Sequence, residues 1–270
     1  MSSAVGLPDP DRRALSRSPL VNVVWQVRFT PTETLSDGKT ALRILEKLGG
    51  QDKLVPVAAP QLAVQVAAGG PTQQLPQMPD QGGQGWRFSD PDGATHVSIN
   101  SQSLAVETTQ YRTWDGHFYQ KVEQAVRALA EIDEVGVVVR VGMRYVNAIF
   151  GAAIGADPFS DAARLREIAV EPLQGFLSDD TLGSSVAAYQ GHHALKFDDA
   201  ITSHIQHGIV ATDGGELGML LDIDTFSEET SAFEVDNLLE LAQGLHGTGL
   251  SVFQRCIKPE ALRLMGPQDR

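Results

Sequence analysis

The chain has 270 residues, of which 42% are hydrophobic and 20% charged, enough apolar content for a sizeable core and too much for a disordered chain. Its formal net charge is −13. Residues 1–135 carry 12 basic and 15 acidic side chains, net −3, and residues 136–270 carry 9 basic and 19 acidic, net −10. A field of this sign repels nucleic acid and anionic membranes, so we expect no non-specific binding to either.

Cysteine content and hydropathy indicate the compartment. The single cysteine, Cys256, excludes an intrachain disulfide and suits a reducing environment. The amino-terminal residues contain no apolar run of signal-peptide length, and no run approaches the roughly 20 apolar residues that span a membrane. We therefore expect a cytoplasmic protein. Residues 1–18 are polar and contain Pro8 and Pro10, and they are predicted to form a flexible arm.

The first half, residues 19–134, begins with a clear strand. In Leu20–Phe29, Val23, Trp25 and alternate neighbours form a wholly apolar face, which predicts a strand with one side buried. Further elements follow from similar patterns. They are a helix at Lys39–Gly49, strands at Gln61–Val66, Trp86–Ser89, Thr95–Asn100 and Leu104–Thr109, and a helix at Gly116–Ile132. Gly69–Gly85 is rich in Gly, Pro and Gln and is predicted to be either a disordered insertion or a contact loop.

The second half, residues 135–270, opens on the strongest strand signal of the chain, Val135–Phe150, with Val137, Val138 and Val139 in succession. The remaining predictions are a helix at Asp161–Phe176, strands at Val186–Leu195, Ala200–Ala211 and Leu217–Phe226, and a helix at Phe233–Phe253 weakened or broken by Gly244, Gly247 and Gly249.

The order of elements predicts the fold class. Each half shows a strand, a helix, three or four antiparallel strands and a second helix. We expect an α+β protein whose pseudo-duplicated halves share one curved antiparallel sheet, with the helices packed on one face.

Five motifs carry a resemblance to a known group of proteins. They are PLVNVVWQVRF at Pro19–Phe29, YRTW at Tyr111–Trp114, GMRYVN at Gly142–Asn147, LDIDTF at Leu221–Phe226 and LHGTGLSVFQRCI at Leu245–Ile257. As an ordered set, they resemble a sporadically distributed bacterial family of about 260 residues, whose pattern favours Leu where this chain has Met143. The resemblance implies a compact cytoplasmic α+β protein and no particular reaction.

The GMRYVN motif contains the sharpest candidate binding residues, Arg144, Tyr145 and Asn147. Alternation places Arg144 on one face of the strand and Tyr145 and Asn147 on the other. A guanidinium group on a sheet can bind a carboxylate or phosphate through two hydrogen bonds, or it can form an internal salt bridge. Tyr111 and Trp114 are either ligand-stacking residues or aromatic residues that close the core. Both pairs of alternatives stay open.

Acidic and imidazole side chains offer a second kind of site. Asp222 and Asp224 lie at i, i+2 on one strand face and could hold a divalent cation, pair with an arginine or lie in solvent. Four histidines lie on two predicted strands, but neighbours point to opposite faces, so at most two converge. They are His192, His193, His204 and His207. We assign no catalytic residue, metal or cofactor.

These patterns favour a non-enzymatic binding protein that holds a protein partner or a small anionic ligand on the sheet face. One alternative is a metal-assisted hydrolase using Asp222, Asp224 and a histidine. The other is a chaperone-like acidic α+β protein with an apolar groove. Association into a homo-oligomer stays open.

Overall fold

The computed structural model describes residues 6–49, 53–58, 84–132 and 135–268. In chain order, the strands of these ranges are β1 (Ala14–Leu15), β2 (Leu20–Phe29), β3 (Lys53–Ala58), β4 (Gln84–Ser89), β5 (Thr95–Asn100), β6 (Ser103–Thr108), β7 (Val138–Ile149), β8 (Gln190–Lys196), β9 (Ile201–Ala211), β10 (Leu217–Ser227) and β11 (Pro267–Gln268). Within the described residues, nine strands form one antiparallel sheet in the order β3-β4-β5-β6-β2-β7-β10-β9-β8, and β1 pairs separately with β11.

The helices of the described ranges lie on one face of this sheet. The α-helices are α1 (Gly38–Lys47), α2 (Tyr119–Ala130), α3 (Val235–Cys256) and α4 (Pro259–Leu264), and a π-helical turn (Trp114–Phe118) leads into α2. Short 3₁₀ helices occur at Glu33–Ser36, Gly151–Ile154, Ala162–Glu167, Glu171–Leu173, Gly175–Ser178 and Gly183–Ser185. The predicted α+β architecture is therefore confirmed. That the halves are duplicated stays a prediction, and so does their division into residues 19–134 and 135–270.

The centre of the sheet is the antiparallel pair β2–β7. Their register sets Trp25 opposite Met143 and Val23 opposite Tyr145. These four side chains face the helices and belong to one buried cluster with residues of α2 and α3. Arg144 opposes Val24 on the other face. The alternation in the sequence thus predicted correctly which residues share a face.

Helix α3 runs without interruption through Gly244, Gly247 and Gly249, so the predicted break is wrong. The sheet explains why one of these glycines fits. A Cβ at Gly249 would lie 3.2 Å from Cε2 of Tyr145 and 3.4 Å from Oγ1 of Thr225. The absence of a side chain therefore lets α3 pack closely on β7 and β10. We infer that this packing offsets the propensity cost of about 1 kcal/mol for a helical glycine.

The α-helix predicted at Asp161–Phe176 is wrong, because this segment forms three short 3₁₀ helices. Two physical reasons account for it. Pro172 has no N–H and clashes with a preceding helical turn. The backbone also bonds elsewhere, since the Val170 N–H donates to the carbonyl of Cys256 at 3.0 Å. The segment is therefore fastened to the end of α3 instead of continuing its own helix.

Residues 6–18, which were predicted to be a flexible arm, lie against the carboxyl-terminal part of the chain. The Ser251 hydroxyl donates to the carbonyl of Pro8 at 2.8 Å. The Asp11 N–H donates to Oε1 of Gln254 at 3.0 Å, and Gln254 Nε2 donates to the carbonyl of Asp11 at 2.7 Å. The strand predicted at Gln61–Val66 and most of the Gly69–Gly85 loop fall outside the described residues.

Across the described ranges, no helix has both the length and the apolar character that crossing a lipid bilayer requires.

Candidate functional site

A cleft of about 310 Å³ opens on the helix-bearing side of the sheet, and we call it the arm cleft. The amino-terminal arm forms one wall, the segment before α2 a second, and β7 and α3 the remainder. Four of the five predicted site residues line it, namely Tyr111, Trp114, Tyr145 and Asn147. Its volume lies at the lower end of the range for small-molecule sites.

Local structure brings these side chains together. Tyr145 and Asn147 are two residues apart on β7, so both face α3. From α3, His246, Leu250 and Phe253 also line the cleft, at the spacing i, i+4, i+7 that places them on one helix face. The cleft thus lies between one face of α3 and the residues of β7 that point towards it.

The floor of the cleft is a contact between three rings. The hydroxyl oxygen of Tyr145 lies 2.5 Å from Nδ1 of His246. The His246 ring stacks on Trp114 with centroids 4.2 Å apart and an angle of 4° between planes. Trp114 Nε1 donates to Oε1 of Gln243 at 2.7 Å. Each of the three rings therefore has a fixed orientation.

The charge states of this group follow from its burial. Burial, with a further contribution from the Arg12 charge, lowers the pKa of His246 from 6.5 to about 3. Burial raises the pKa of Tyr145 well above its usual value of 10.0. Both groups are therefore neutral at pH 7. Neutrality alone allows either group to donate across this contact. We assign the Tyr145 hydroxyl as the donor, because a phenol O–H is a stronger donor than an imidazole N–H and an imidazole nitrogen is a stronger acceptor than a phenol oxygen. This assignment puts the imidazole proton on Nε2.

The remaining polar atoms of the floor are accessible from the cleft. Among the described residues, Nε2 of His246 has no hydrogen-bond partner, and it is not one of the enclosed polar atoms. Asn147 Nδ2 donates to the carbonyl of Leu221 at 3.2 Å, which holds the amide in place. Its Oδ1 is likewise not enclosed. The floor thus offers a fixed N–H donor and a fixed carbonyl acceptor.

The rim of the cleft carries most of its charge. Arg12, Arg13, Arg112 and Asp115 all line it. Arg13 is paired with Asp11 at 2.7 Å. In the described parts of the chain, Arg12 and Arg112 have no ion-pair partner. The Arg12 guanidinium lies over α3, because a Cβ at Gly247 would come within 3.5 Å of its Nη2.

Arg144, the fifth predicted site residue, lies on the opposite face of the sheet. Its Nε and Nη2 donate to the two carboxylate oxygens of Asp222 at 2.9 and 2.7 Å. The two side chains are only 5% and 3% exposed. This geometry matches the internal salt bridge that the sequence left open, and it does not bring Arg144 together with Tyr145 and Asn147.

A second ion pair lies beside the first. Arg140 Nη2 donates to Oδ2 of Asp224 at 2.8 Å, and its guanidinium lies 4.3 Å from the centre of the Phe226 ring. Burial raises the pKa of Asp224, although the charges of Arg140 and Arg144 act in the opposite direction. Asp222 and Asp224 are thus both engaged by arginine side chains.

The histidines of β8 and β9 form two separate pairs. His193 and His207 lie with their Nε2 atoms 3.2 Å apart, and His192 contacts His204 edge to face with ring centroids 5.2 Å apart. Within the described ranges, no group of three His, Cys, Asp or Glu side chains could hold a metal ion.

Cys256 is enclosed at the end of α3. It is 5% exposed, and burial raises the pKa of its thiol from 9.0 to about 12. A thiol with this pKa is almost fully protonated at pH 7 and is a poor nucleophile. Cys256 is thus a small residue of the hydrophobic core.

Two of the cleft residues that the sequence did not mark as site residues are His246 and Arg12. Arg12 belongs to the segment that was predicted to be a flexible arm. The helical spacing of His246, Leu250 and Phe253 was a usable signal for the first. Nothing local marks Arg12, because its position depends on contacts with residues more than 230 positions away along the chain, such as those between Asp11 and Gln254.

The described residues define an α+β protein with a nine-stranded antiparallel sheet and an aromatic-floored cleft beside α3. No protein-family model matches the chain, and no curated protein matches it. The resemblance given by the five motifs therefore rests on those motifs alone.

Proposed function

We propose that the protein is a non-enzymatic binding protein that holds a small anionic ligand in the arm cleft. The observation that carries this proposal is the convergence of Tyr111, Trp114, Tyr145 and Asn147 on one cavity. These residues come from two segments far apart in sequence. A pocket with apolar walls and a few convergent polar groups is the usual form of a small-molecule site.

Charge at the rim supports an anionic ligand. Three arginine side chains line the cleft, and the acidic groups beside them are Asp115 and Asp11, the partner of Arg13. The side chains that line the cleft thus carry more positive than negative charge, on a protein whose net charge is −13. A local positive field on a negative molecule concentrates anions at that place.

The arm cleft lies on the helix-bearing face of the sheet, whereas Arg144 lies on the opposite face. There Arg144 is committed to Asp222 through two hydrogen bonds. Leaving that carboxylate unpaired to bind a ligand would cost several kcal/mol. The cytoplasmic location and the existence of a protein partner stay expectations.

The hydrolase alternative draws no support from the described geometry. Asp222 and Asp224 are ion-paired, and the described residues supply no third metal ligand near them.

The chaperone-like alternative requires a large apolar groove. The large hydrophobic side chains that are exposed in the described ranges come instead from several separate segments of the chain. They include Leu42, Val137, Phe176 and Leu195.

Fluorescence of 1-anilinonaphthalene-8-sulfonate, an aromatic monoanion, tests the proposal. We expect it to bind the wild-type protein and to bind Leu250→Trp at least tenfold more weakly, because a larger side chain on the cleft-facing side of α3 fills the cavity. Leu42→Trp makes the same change at an exposed position of α1 and is the matched control. Circular dichroism and a cooperative thermal transition establish that both variants fold.

The proposal fails if folded Leu250→Trp binds the dye as tightly as Leu42→Trp does. It also fails if the wild-type protein does not bind the dye under conditions where its thermal transition is cooperative.

A further inference from the structure

The three rings at the floor of the arm cleft have one hydrogen-bond donor that no other described residue uses. His246 is 6% exposed, and the Tyr145 hydroxyl occupies its Nδ1. The indole N–H of Trp114 is engaged by Gln243. Nε2–H of His246 is therefore the donor that remains, and it requires an acceptor oxygen or nitrogen on the ligand. A ligand that fills the cleft displaces water from this N–H, and a donor left buried without a partner is costly, so the ligand must itself supply the acceptor.

The orientation of this donor is fixed from both sides. The hydrogen bond to Tyr145 sets the tautomer, and stacking on Trp114 at 4.2 Å sets the plane of the ring. A side chain held in this way loses little conformational freedom when it binds a ligand. The arrangement is thus suited to select one ligand atom at one position.

The charge of the rim limits the charge of the ligand. The neighbouring Arg12 guanidinium lies over Gly247, the residue after His246 in α3. Arg12 and Arg112 have no ion-pair partner in the described parts of the chain, and Asp115 offsets part of their charge. The lining carries more positive than negative charge, which favours an anionic ligand. A cation would be repelled.

The walls limit the body of the ligand. Leu15, Leu20, Leu250 and Phe253 line the cleft together with the aromatic residues of the floor. Its volume of about 310 Å³ corresponds to about ten water molecules at roughly 30 Å³ each. A compact apolar body fits these walls and this volume, and a sugar or nucleotide would lose hydrogen bonds to water against them.

Resting on the function proposed above, we propose that the ligand is a monocarboxylic acid with a compact apolar body. One carboxylate oxygen accepts the hydrogen bond from Nε2 of His246, and the charge is balanced by Arg12 at the rim. The apolar body lies between the arm and α3. A guanidinium group suits this role because its planar donors match a planar carboxylate.

Isothermal titration calorimetry with 2-naphthoate, indole-3-acetate and decanoate, each paired with its primary amide, tests the ligand class. We expect at least one acid to bind at least tenfold more tightly than its amide, because the amide keeps the body and removes the charge. We expect Arg12→Ala to reduce this preference for the acid about tenfold. Arg43→Ala, which removes one positive charge from an exposed position of α1, should leave it unchanged.

Two substitutions at His246 separate its roles. His246→Gln places an amide N–H near the position of Nε2, whereas His246→Asn reproduces only the Nδ1 side. We expect the first to retain most of the acid binding and the second to weaken it about tenfold or more. A merely structural role for the ring would weaken binding equally in both variants. Equal loss in both folded variants would therefore overturn the assignment of Nε2.

The ligand class and the proposed function fail in different ways. If no acid binds more tightly than its amide, the carboxylate inference is overturned. If in that case Leu250→Trp still abolishes binding of the dye, the cleft remains a binding site for another class of ligand. If the dye binds equally to Leu250→Trp and Leu42→Trp, the proposed function fails as well.

Discussion

The buried ion pair between Arg144 and Asp222 makes a quantitative prediction about stability. Two hydrogen bonds, of 2.9 and 2.7 Å, join side chains that are 5% and 3% exposed. Arg144→Met removes the cation and leaves a buried carboxylate without its partner. Breaking a buried pair in this way costs about 3–5 kcal/mol, a large fraction of the roughly 5–15 kcal/mol that stabilises a typical domain.

Urea denaturation followed by far-ultraviolet circular dichroism measures this loss in the free energy of unfolding. The double variant Arg144→Met/Asp222→Leu removes both charges, and we expect it to recover most of the loss, because apolar replacements of a buried pair are often neutral or stabilising. Arg166→Met is the matched control. It breaks a bond of 2.8 Å to Asp180 whose side chains are 43% and 90% exposed, and we expect a change within about 1 kcal/mol.

The reasoning is refuted if Arg144→Met and Arg166→Met lower the free energy of unfolding by similar small amounts. The same variant also bears on the location of the site. Because Arg144 faces away from the arm cleft, folded Arg144→Met should bind the anionic dye as the wild-type protein does.

Two further predictions concern the cleft. The folded-state pKa of His246, about 3, lies below its ordinary value of 6.5, so the unfolded chain takes up the proton first. The free energy of unfolding should therefore fall as the pH drops from about 6.5 towards 3. This group contributes at most about 1.4 kcal/mol per pH unit to the fall. Urea titrations at several pH values should show a shallower decline for His246→Gln than for the wild-type protein. Gln254→Ala removes the two hydrogen bonds between Gln254 and the backbone of Asp11. It should increase the rate of tryptic cleavage after Arg12 and Arg13 about tenfold. Unchanged cleavage would show that other contacts hold the arm.

Local patterns predicted those parts of the fold that depend on burial alone. The alternation in Leu20–Phe29 and the valines of β7 predicted two strands, because each must bury one face. The same alternation separated Arg144 from Tyr145 and Asn147. The sequence could not show which of these faces the helices cover, since that depends on how the strands are ordered in the sheet.

Predictions failed where a distant contact overrides local preference. The segment around Pro172 has helical periodicity, yet its backbone bonds to the end of α3. The glycines of α3 signal a weak helix, yet Gly249 makes room for Tyr145. In each case, the deciding partner lies more than 80 positions away, and no window of local sequence contains it.

The residues that meet in the arm cleft are also far apart along the sequence. Tyr145 was identified as a candidate within the GMRYVN motif, and Trp114 as a residue that either stacks on a ligand or closes the core. Their partner His246 lies 101 positions beyond Tyr145. The pairing of Arg144 with Asp222 was one of the open alternatives, and 78 positions separate the two residues.

The arm cleft draws its walls from the beginning, the middle and the end of the chain. A nascent or carboxyl-terminally truncated polypeptide has no α3 against which Pro8 and Asp11 can dock, and so it has no cleft. A ligand of the arm cleft can therefore bind only to the fully folded chain. Under the proposed function, a bound ligand adds to the stability of that molecule by mass action, and ligand supply would then control how much of the protein survives in the cell.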